Sequence, residues 1–173
     1  MTEPADTRNP ASTLRLGTLA LLAFWLVVAA ALYAGFSWWE SRQRAALQPY
    51  AEAGGQLVIP RQRDGHFYVD GEVNHQPVRF LVDTGASAVA VTEAVARAAG
   101  LPEGHRITVQ TANGAREGRK VHGVPVQAGP LARNDVTVTI GLRTNDGGAL
   151  LGQSFLRHFD VEIGADQMRL RPR

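Results

Sequence analysis

The 173-residue chain contains no cysteine, which removes thiol nucleophiles, disulfides and thiolate-bound metals together. It leaves the redox compartment open. An excess of either charge is also missing. Beyond residue 39 there are 16 Lys+Arg against 14 Asp+Glu, a net of +2, so nothing resembles the basic footprint of a nucleic-acid binder. Arg169, Arg171 and Arg173 read as a solvated strand end. The five histidines, His66, His75, His105, His122 and His158, lack metal-ligand spacing, and no metal or other cofactor is expected. Most of Asp70, Asp135, Asp146, Asp160 and Asp166 fall beside Gly or Asn in turns, where aspartate is favoured structurally. Gly147-Gly148 lacks the strand-helix setting of a phosphate loop. No internal repeat is visible.

What is present begins with one long apolar run. Leu16–Trp39 is uncharged between Arg15 and Glu40. At about 1.5 Å rise per residue it reaches across a hydrocarbon core of roughly 30 Å. Trp38 and Trp39 stand at its downstream end, where amphipathic aromatics favour the headgroup level. A cleavable signal peptide would have a shorter apolar region and a small-x-small site; Leu32-Tyr33-Ala34 is a poor one, so an uncleaved anchor is the better reading. Arg8 and Arg15 balance Arg42 and Arg44, so charge does not orient the segment. The default for a short tail and a long following domain is N-in, C-out. The expected organisation is therefore a cytoplasmic tail over 1–15, a transmembrane signal anchor over 16–39, a linker over 40–56 and a folded domain over 57–173.

That domain reads as small, β-rich and mostly antiparallel. His66–Val73 and Gln76–Val82 flank Asn74-His75 as a hairpin. Thr92–Ala99 predicts a short helix with Thr92 as N-cap, Gly100 at its stop, and Val91, Val95 and Ala98 as the buried stripe. Arg106–Ala112 and Arg116–Val126 bracket Asn113-Gly114, a hairpin-turn signal. Val136, Val138 and Ile140 alternate with Thr137 and Thr139 as in a half-buried strand. Ala149–Gly152 predicts a buried strand ending at a glycine, and Gln153–His158 a helical turn. Phe159–Ile163 and Gln167–Arg171 make a last hairpin around Gly164-Ala165-Asp166.

The residues that point to chemistry are Leu81-Val82-Asp83-Thr84-Gly85-Ala86-Ser87. An aspartate at a strand-to-loop transition is positioned by the close backbone approach that Gly85 permits, and a small hydroxyl beside it can lock the loop. Asp-Thr-Gly alone is also an ordinary turn. P-type ATPases place an aspartate before a Thr-Gly pair, but with an intervening lysine and a large nucleotide-binding domain, both missing here. Two distant features add weight. An apolar-apolar-Gly triplet, Leu150-Leu151-Gly152, followed by Gln153-Ser154-Phe155-Leu156, lies about 70 residues downstream. Between them, about 30 residues after Asp83, is the glycine-tipped hairpin.

In this order and spacing, Leu57–Pro172 resembles the retropepsin-like (clan AA) aspartic proteases, and most closely their bacterial single-pass membrane branch. The resemblance implies a closed β barrel of the acid-protease fold, single lobe, with one or two short helices. It implies that Asp83 is catalytic, with Thr84, Gly85 and Ser87 supporting the active-site loop. Leu150, Leu151 and Gly152 would form the ψ-loop segment, and the hairpin around Asn113 and Gly114 the flap. Two positions depart from the retroviral pattern, which has an acidic residue at Ser87 and an arginine at Gln153. The viral ion pair between subunits therefore cannot form, and a Ser87–Gln153 hydrogen bond is one replacement.

Peptide hydrolysis in this family uses two carboxylates sharing one proton, because close like charges do not both ionise cheaply. The ionised one takes a proton from water and the other polarises the scissile carbonyl. With one Asp-Thr-Gly and no repeat, the second aspartate must come from another copy, giving a homodimer with the site on its two-fold axis. In the family the Thr84 hydroxyl hydrogen-bonds across that axis. The expectation is a membrane-anchored aspartic endopeptidase acting on proteins or peptides, held by residues 16–39 in a bacterial inner membrane with its domain in the periplasm. The alternative is an inactive module of the same fold serving as an anchored scaffold.

Overall fold

The computed structural model describes residues 10–52, 54–111, 114–141 and 148–173. The chain divides into two compact units, Met1–Ala45 and Ala46–Arg173. The first is built on one long helix, α1 (Pro10–Ala46), in which Leu21–Gln43 is long and apolar enough to cross a membrane. Most of its large apolar side chains from Leu19 to Trp39 lie exposed. The guanidinium of Arg42 stacks 3.9 Å from the Trp38 ring centroid. The charged stretch expected as a linker is thus helical to Ala46, and only Leu47–Pro49 separate α1 from the first strand.

The second unit is β-structured. Four antiparallel strands, β1 (Tyr50–Glu52), β2 (Gln56–Pro60), β11 (Gln167–Pro172) and β10 (Phe159–Ile163), form one sheet in that spatial order. The other strands are β3 (Tyr68–Val73), β4 (Gln76–Val82), β5 (Val89–Val91), β6 (His105–Thr111), β7 (Gly114–Ala128), β8 (Leu131–Ile140) and β9 (Ala149–Leu151). They run in the order β3-β4-β9-β5-β8-β7-β6. A further β3–β7 pairing, Gly71↔Ala128 to Val73↔Val126, closes six of them into a barrel. Closure removes the unpaired edges that an open sheet of these strands would expose. Two pairings inside the barrel are parallel, β4 with β9 and β5 with β8.

The local signals account for most of these elements. Asn74 and His75 both take positive φ, 46° and 66°, the turn a two-residue hairpin demands, and they join Val73 to Gln76. Thr92 caps α2 (Glu93–Ala98), its hydroxyl accepting from the Val95 N–H at 3.2 Å. The buried face of α2 differs from the expected stripe: Ala96 and Ala99 are buried, Val95 is half-buried and Ala98 is exposed. Six residues make under two turns, so the face is set by how the cap directs the helix onto the barrel rather than by a long repeat. α3 (Gln153–Leu156) buries Ser154, Phe155 and Leu156.

The barrel interior is filled by Val69, Phe80, Val89, Val91, Val138, Leu151 and Phe155, among others, all at most 2% exposed. The four-stranded sheet adds Leu57, Ile59, Met168 and Leu170 to the same core. Each such side chain contributes about 1.5–3 kcal/mol through burial. This packing holds rigid the strand ends from which the site is built.

Candidate active site

Asp83 is the first residue after β4. Its backbone N–H donates to the Leu151 carbonyl at 3.1 Å, and its own carbonyl accepts from Ala86 at 3.3 Å. The carboxylate Oδ1 accepts the Gly85 N–H at 2.9 Å, the two-residue local bond that aspartate readily makes in a turn. One carboxylate oxygen is thereby fixed in direction.

The loop over 83–88 is clamped from below by the β9–α3 segment. β9 lies between the two strands that flank the loop, parallel to β4 (Val82↔Leu151) and antiparallel to β5 (Ala90↔Leu150). At its end, the Gln153 N–H donates to the Ala86 carbonyl at 2.8 Å. The Gln153 side chain donates through Nε2 to the Thr84 carbonyl at 3.0 Å. Gln153 therefore holds the Asp83 loop of its own chain through the Thr84 backbone. Thr84 directly follows Asp83, so this one bond from Gln153 restrains the loop at the residue next to the carboxylate.

Ser154 completes the clamp. Its hydroxyl, in a residue 4% exposed, accepts the Val89 N–H at 2.9 Å and donates to the Thr137 carbonyl at 2.6 Å. One hydroxyl thus ties the start of β5 to β8 where β9 turns into α3. This role of Ser154 is not legible in the sequence, because a serine in the run Gly152-Gln153-Ser154 carries no signal of the two backbone groups it will meet.

Thr84, Gly85 and Ser87 are exposed on the loop surface, and Asp83 is half-buried. Asp83, Gly85, Ala86 and Ser87 line a cleft of about 450 Å³. Ala88, Ala90, Thr139, Ile140, Gly141 and Leu150 complete its floor and walls, and Val109, Arg116, Glu117 and Gly118 border it from the β6–β7 hairpin. Leu150 faces the cleft, Leu151 is buried in the core, and Gly152 packs under the loop.

That hairpin pairs from His105↔Lys120 to Thr111↔Gly114. Asn113 lies outside the described residues; Gly114 begins β7 with φ 99°. β8 pairs with β7 only as far as Arg119↔Ile140, so the hairpin projects free of the barrel beyond that point. At the exit, Gly118 passes so close to β8 that an added Cβ would lie 2.9 Å from the Ile140 carbonyl oxygen. Arg119 forms an ion pair with Glu93 at the start of α2, bracing the hairpin base from its other side.

Among the described residues, no group of three or more His, Asp or Glu is placed to hold a metal ion. Asp64, in the turn before β3, has its carboxyl displaced below its ordinary value. It is held below 3.8 by the His66 backbone N–H and next by the Tyr68 hydroxyl. It does not line the cleft.

The family model described as "gag-polyprotein putative aspartyl protease" matches residues 69–158, which run from β3 past α3 and contain the whole cleft. The crystal structure of a retropepsin-like aspartic protease from Rickettsia conorii superposes with a TM-score of 0.58 at 34% sequence identity, over 67% of this chain and 89% of that one. The chain belongs to the retropepsin-like aspartic protease family. This retropepsin-like chain is also 31% identical over 132 residues to an uncharacterised protein in the cobV 5′ region of a Sinorhizobium species, covering 74% of itself. It is 31% identical over 150 residues to an uncharacterised protein of Rickettsia prowazekii, covering 80% of itself. It spans 57% and 64% of the lengths of those two relatives.

Proposed function

We propose that this retropepsin-like protein is an aspartic endopeptidase in which Asp83 of two copies forms the catalytic dyad. The observation that carries the reading is the setting of Asp83. Its carboxylate is oriented by the Gly85 N–H, its loop is fixed by Gln153 and Ser154, and it opens onto a cleft roofed by a projecting hairpin. Preorganised groups of this kind lower a barrier because they need not reorganise during reaction.

In the proposed mechanism an extended peptide lies in the cleft beneath the hairpin. One Asp83 takes a proton from water as the water attacks the scissile carbonyl. The symmetry-related Asp83 donates the shared proton to the carbonyl oxygen, giving a gem-diol. As the C–N bond breaks, the first Asp83 passes the proton it took from water to the leaving amine, and the second recovers its proton from the collapsing diol. Thr84, exposed beside Asp83, is positioned to meet the same loop of the second copy, and Leu150-Leu151-Gly152 act as the ψ-segment under the loop. The β6–β7 hairpin, including Gly114, serves as the flap.

The apolar part of α1, residues 16–39, is assigned as the anchor, with residues 1–15 in the cytoplasm and the β unit on the periplasmic face of a bacterial inner membrane. Anchoring two copies in one membrane raises their effective concentration, so a modest interface suffices for dimerisation. Exposed segments of membrane or envelope proteins are then the substrates within reach.

The test is cleavage of an unstructured protein, β-casein, by the purified full chain beside an Asp83→Asn variant. Wild-type cleavage with loss of at least about a thousandfold in the variant is expected, since the amide cannot carry the dyad's proton chemistry. Equal cleavage by both proteins would rule the reading out.

A further inference from the structure

The hairpin over the cleft brings an arginine to the side facing Asp83. Along this part of β7 the inward direction is set by Gly118, whose added Cβ would meet Val109, Thr139 and the Ile140 carbonyl. Strand side chains alternate with a period of two, so Arg116 shares that inward face, directly across from Val109 in the ladder. Arg119 has the opposite orientation, toward Glu93. Arg116 accordingly lines the cleft with Asp83. The same cleft is lined by Ala86, Ala88, Ala90 and Leu150, with Glu117 its one carboxylate besides Asp83 among the described residues. Among the described residues no carboxylate forms an ion pair with Arg116.

We propose that Arg116 determines specificity by receiving an acidic side chain of the peptide held in the cleft, so that sequences carrying Asp or Glu are preferred. This rests on reading the cleft as a peptide-binding site. A guanidinium presents a planar fork that matches a carboxylate through two parallel hydrogen bonds. Bound peptide also displaces water from the cleft, which strengthens the pairing relative to an exposed one. The acid must sit toward the hairpin and away from the scissile bond. Next to the bond it would face Asp83 and be repelled. The preference therefore falls at one or two defined positions and not along the whole peptide.

The experiment uses the full chain in nanodiscs and a decapeptide library in which each position in turn is fixed as Glu or Gln. The ratio of kcat/KM for Glu over Gln is measured at every position, and binding of the same peptides to the Asp83→Asn protein is measured by calorimetry. At one or two positions Glu should exceed Gln by roughly three- to tenfold. The ratio should collapse to about one in Arg116→Gln, fall below one in Arg116→Glu, and shrink at 0.5 M salt through screening. A wild type with no Glu preference at any position, or a preference that survives Arg116→Gln, overturns the proposal. The two readings fail separately. Glu-selective binding lost on Arg116→Gln, without any cleavage by the wild type, would support the acid-binding role and sink the protease. Cleavage with no Glu preference would do the reverse.

Discussion

Gly152 and Ala88 touch so closely that no side chain fits between them. A methyl group on Gly152 would lie 2.2 Å from the Ala88 carbonyl oxygen and 2.8 Å from that of Ala86. Both neighbours are backbone and belong to the loop that carries Asp83, so neither can swing aside without moving the site. Gly152→Ala should cost about 3 kcal/mol or more in stability. Any folded fraction should lose peptidase activity more than tenfold, because the loop must rise off β9. Thermal unfolding followed by the β-sheet circular dichroism signal checks the first part. An unchanged midpoint would contradict the packing described.

Ser154 offers a gentler test of the same clamp. Removing its hydroxyl leaves the Val89 N–H and the Thr137 carbonyl without their partner in a buried setting. Ser154→Ala is expected to destabilise the β unit by about 1–3 kcal/mol, read from urea denaturation. Ser154→Thr retains the hydroxyl and, if its methyl is accommodated, should recover part of the loss.

The legibility of the sequence was uneven for physical reasons. The Asn74-His75 hairpin, the Thr92 cap and the last hairpin depend on interactions between near neighbours in the chain, and their boundaries fell within a residue or two. The Asp83 loop and the Leu150-Leu151-Gly152 segment were visible as motifs in a known order. β1 and the start of β2 were hidden in a stretch read as linker, because Tyr50–Glu52 is exposed throughout and carries no alternating pattern. The closure of β3 on β7 joins residues more than fifty positions apart, and nothing local encodes it. The same holds for Ser154 and Arg116. Their partners and surroundings exist only once the barrel has formed.

The unit Ala46–Arg173 has its own core. Deleting residues 1–45 should therefore give a soluble chain that keeps the β-sheet signal. Its activity per mole should fall on dilution, whereas that of the anchored chain should not, because the membrane no longer supplies effective concentration. Fractionation of the full chain with membranes and of the shortened chain with the soluble phase checks the first expectation. A full chain that stays soluble would remove the anchor from the account.

Asp64 predicts a pH effect remote from the cleft. Its carboxylate accepts the His66 N–H at 3.0 Å and the Tyr68 hydroxyl at 2.9 Å, and these bonds hold its folded value below 3.8. A carboxyl lowered on folding contributes its stability in full above the unfolded value and loses it as pH falls through the folded one. Asp64→Asn should melt below the wild type at neutral pH, and the gap should narrow as pH drops below 3.8. A gap that is constant with pH would contradict the assignment.

The central claim is that Asp83 is half of a site, completed by a second copy. It is tested most directly by co-assembling a fixed amount of wild type with increasing Asp83→Asn chain in one detergent or nanodisc preparation and measuring casein cleavage. Mixed dimers hold one aspartate and one asparagine, so cleavage should fall as variant is added, to about half at equal amounts under random assortment. Cleavage that stays at the wild-type level whatever the proportion of variant would mean that each chain carries a complete site, and would contradict the account.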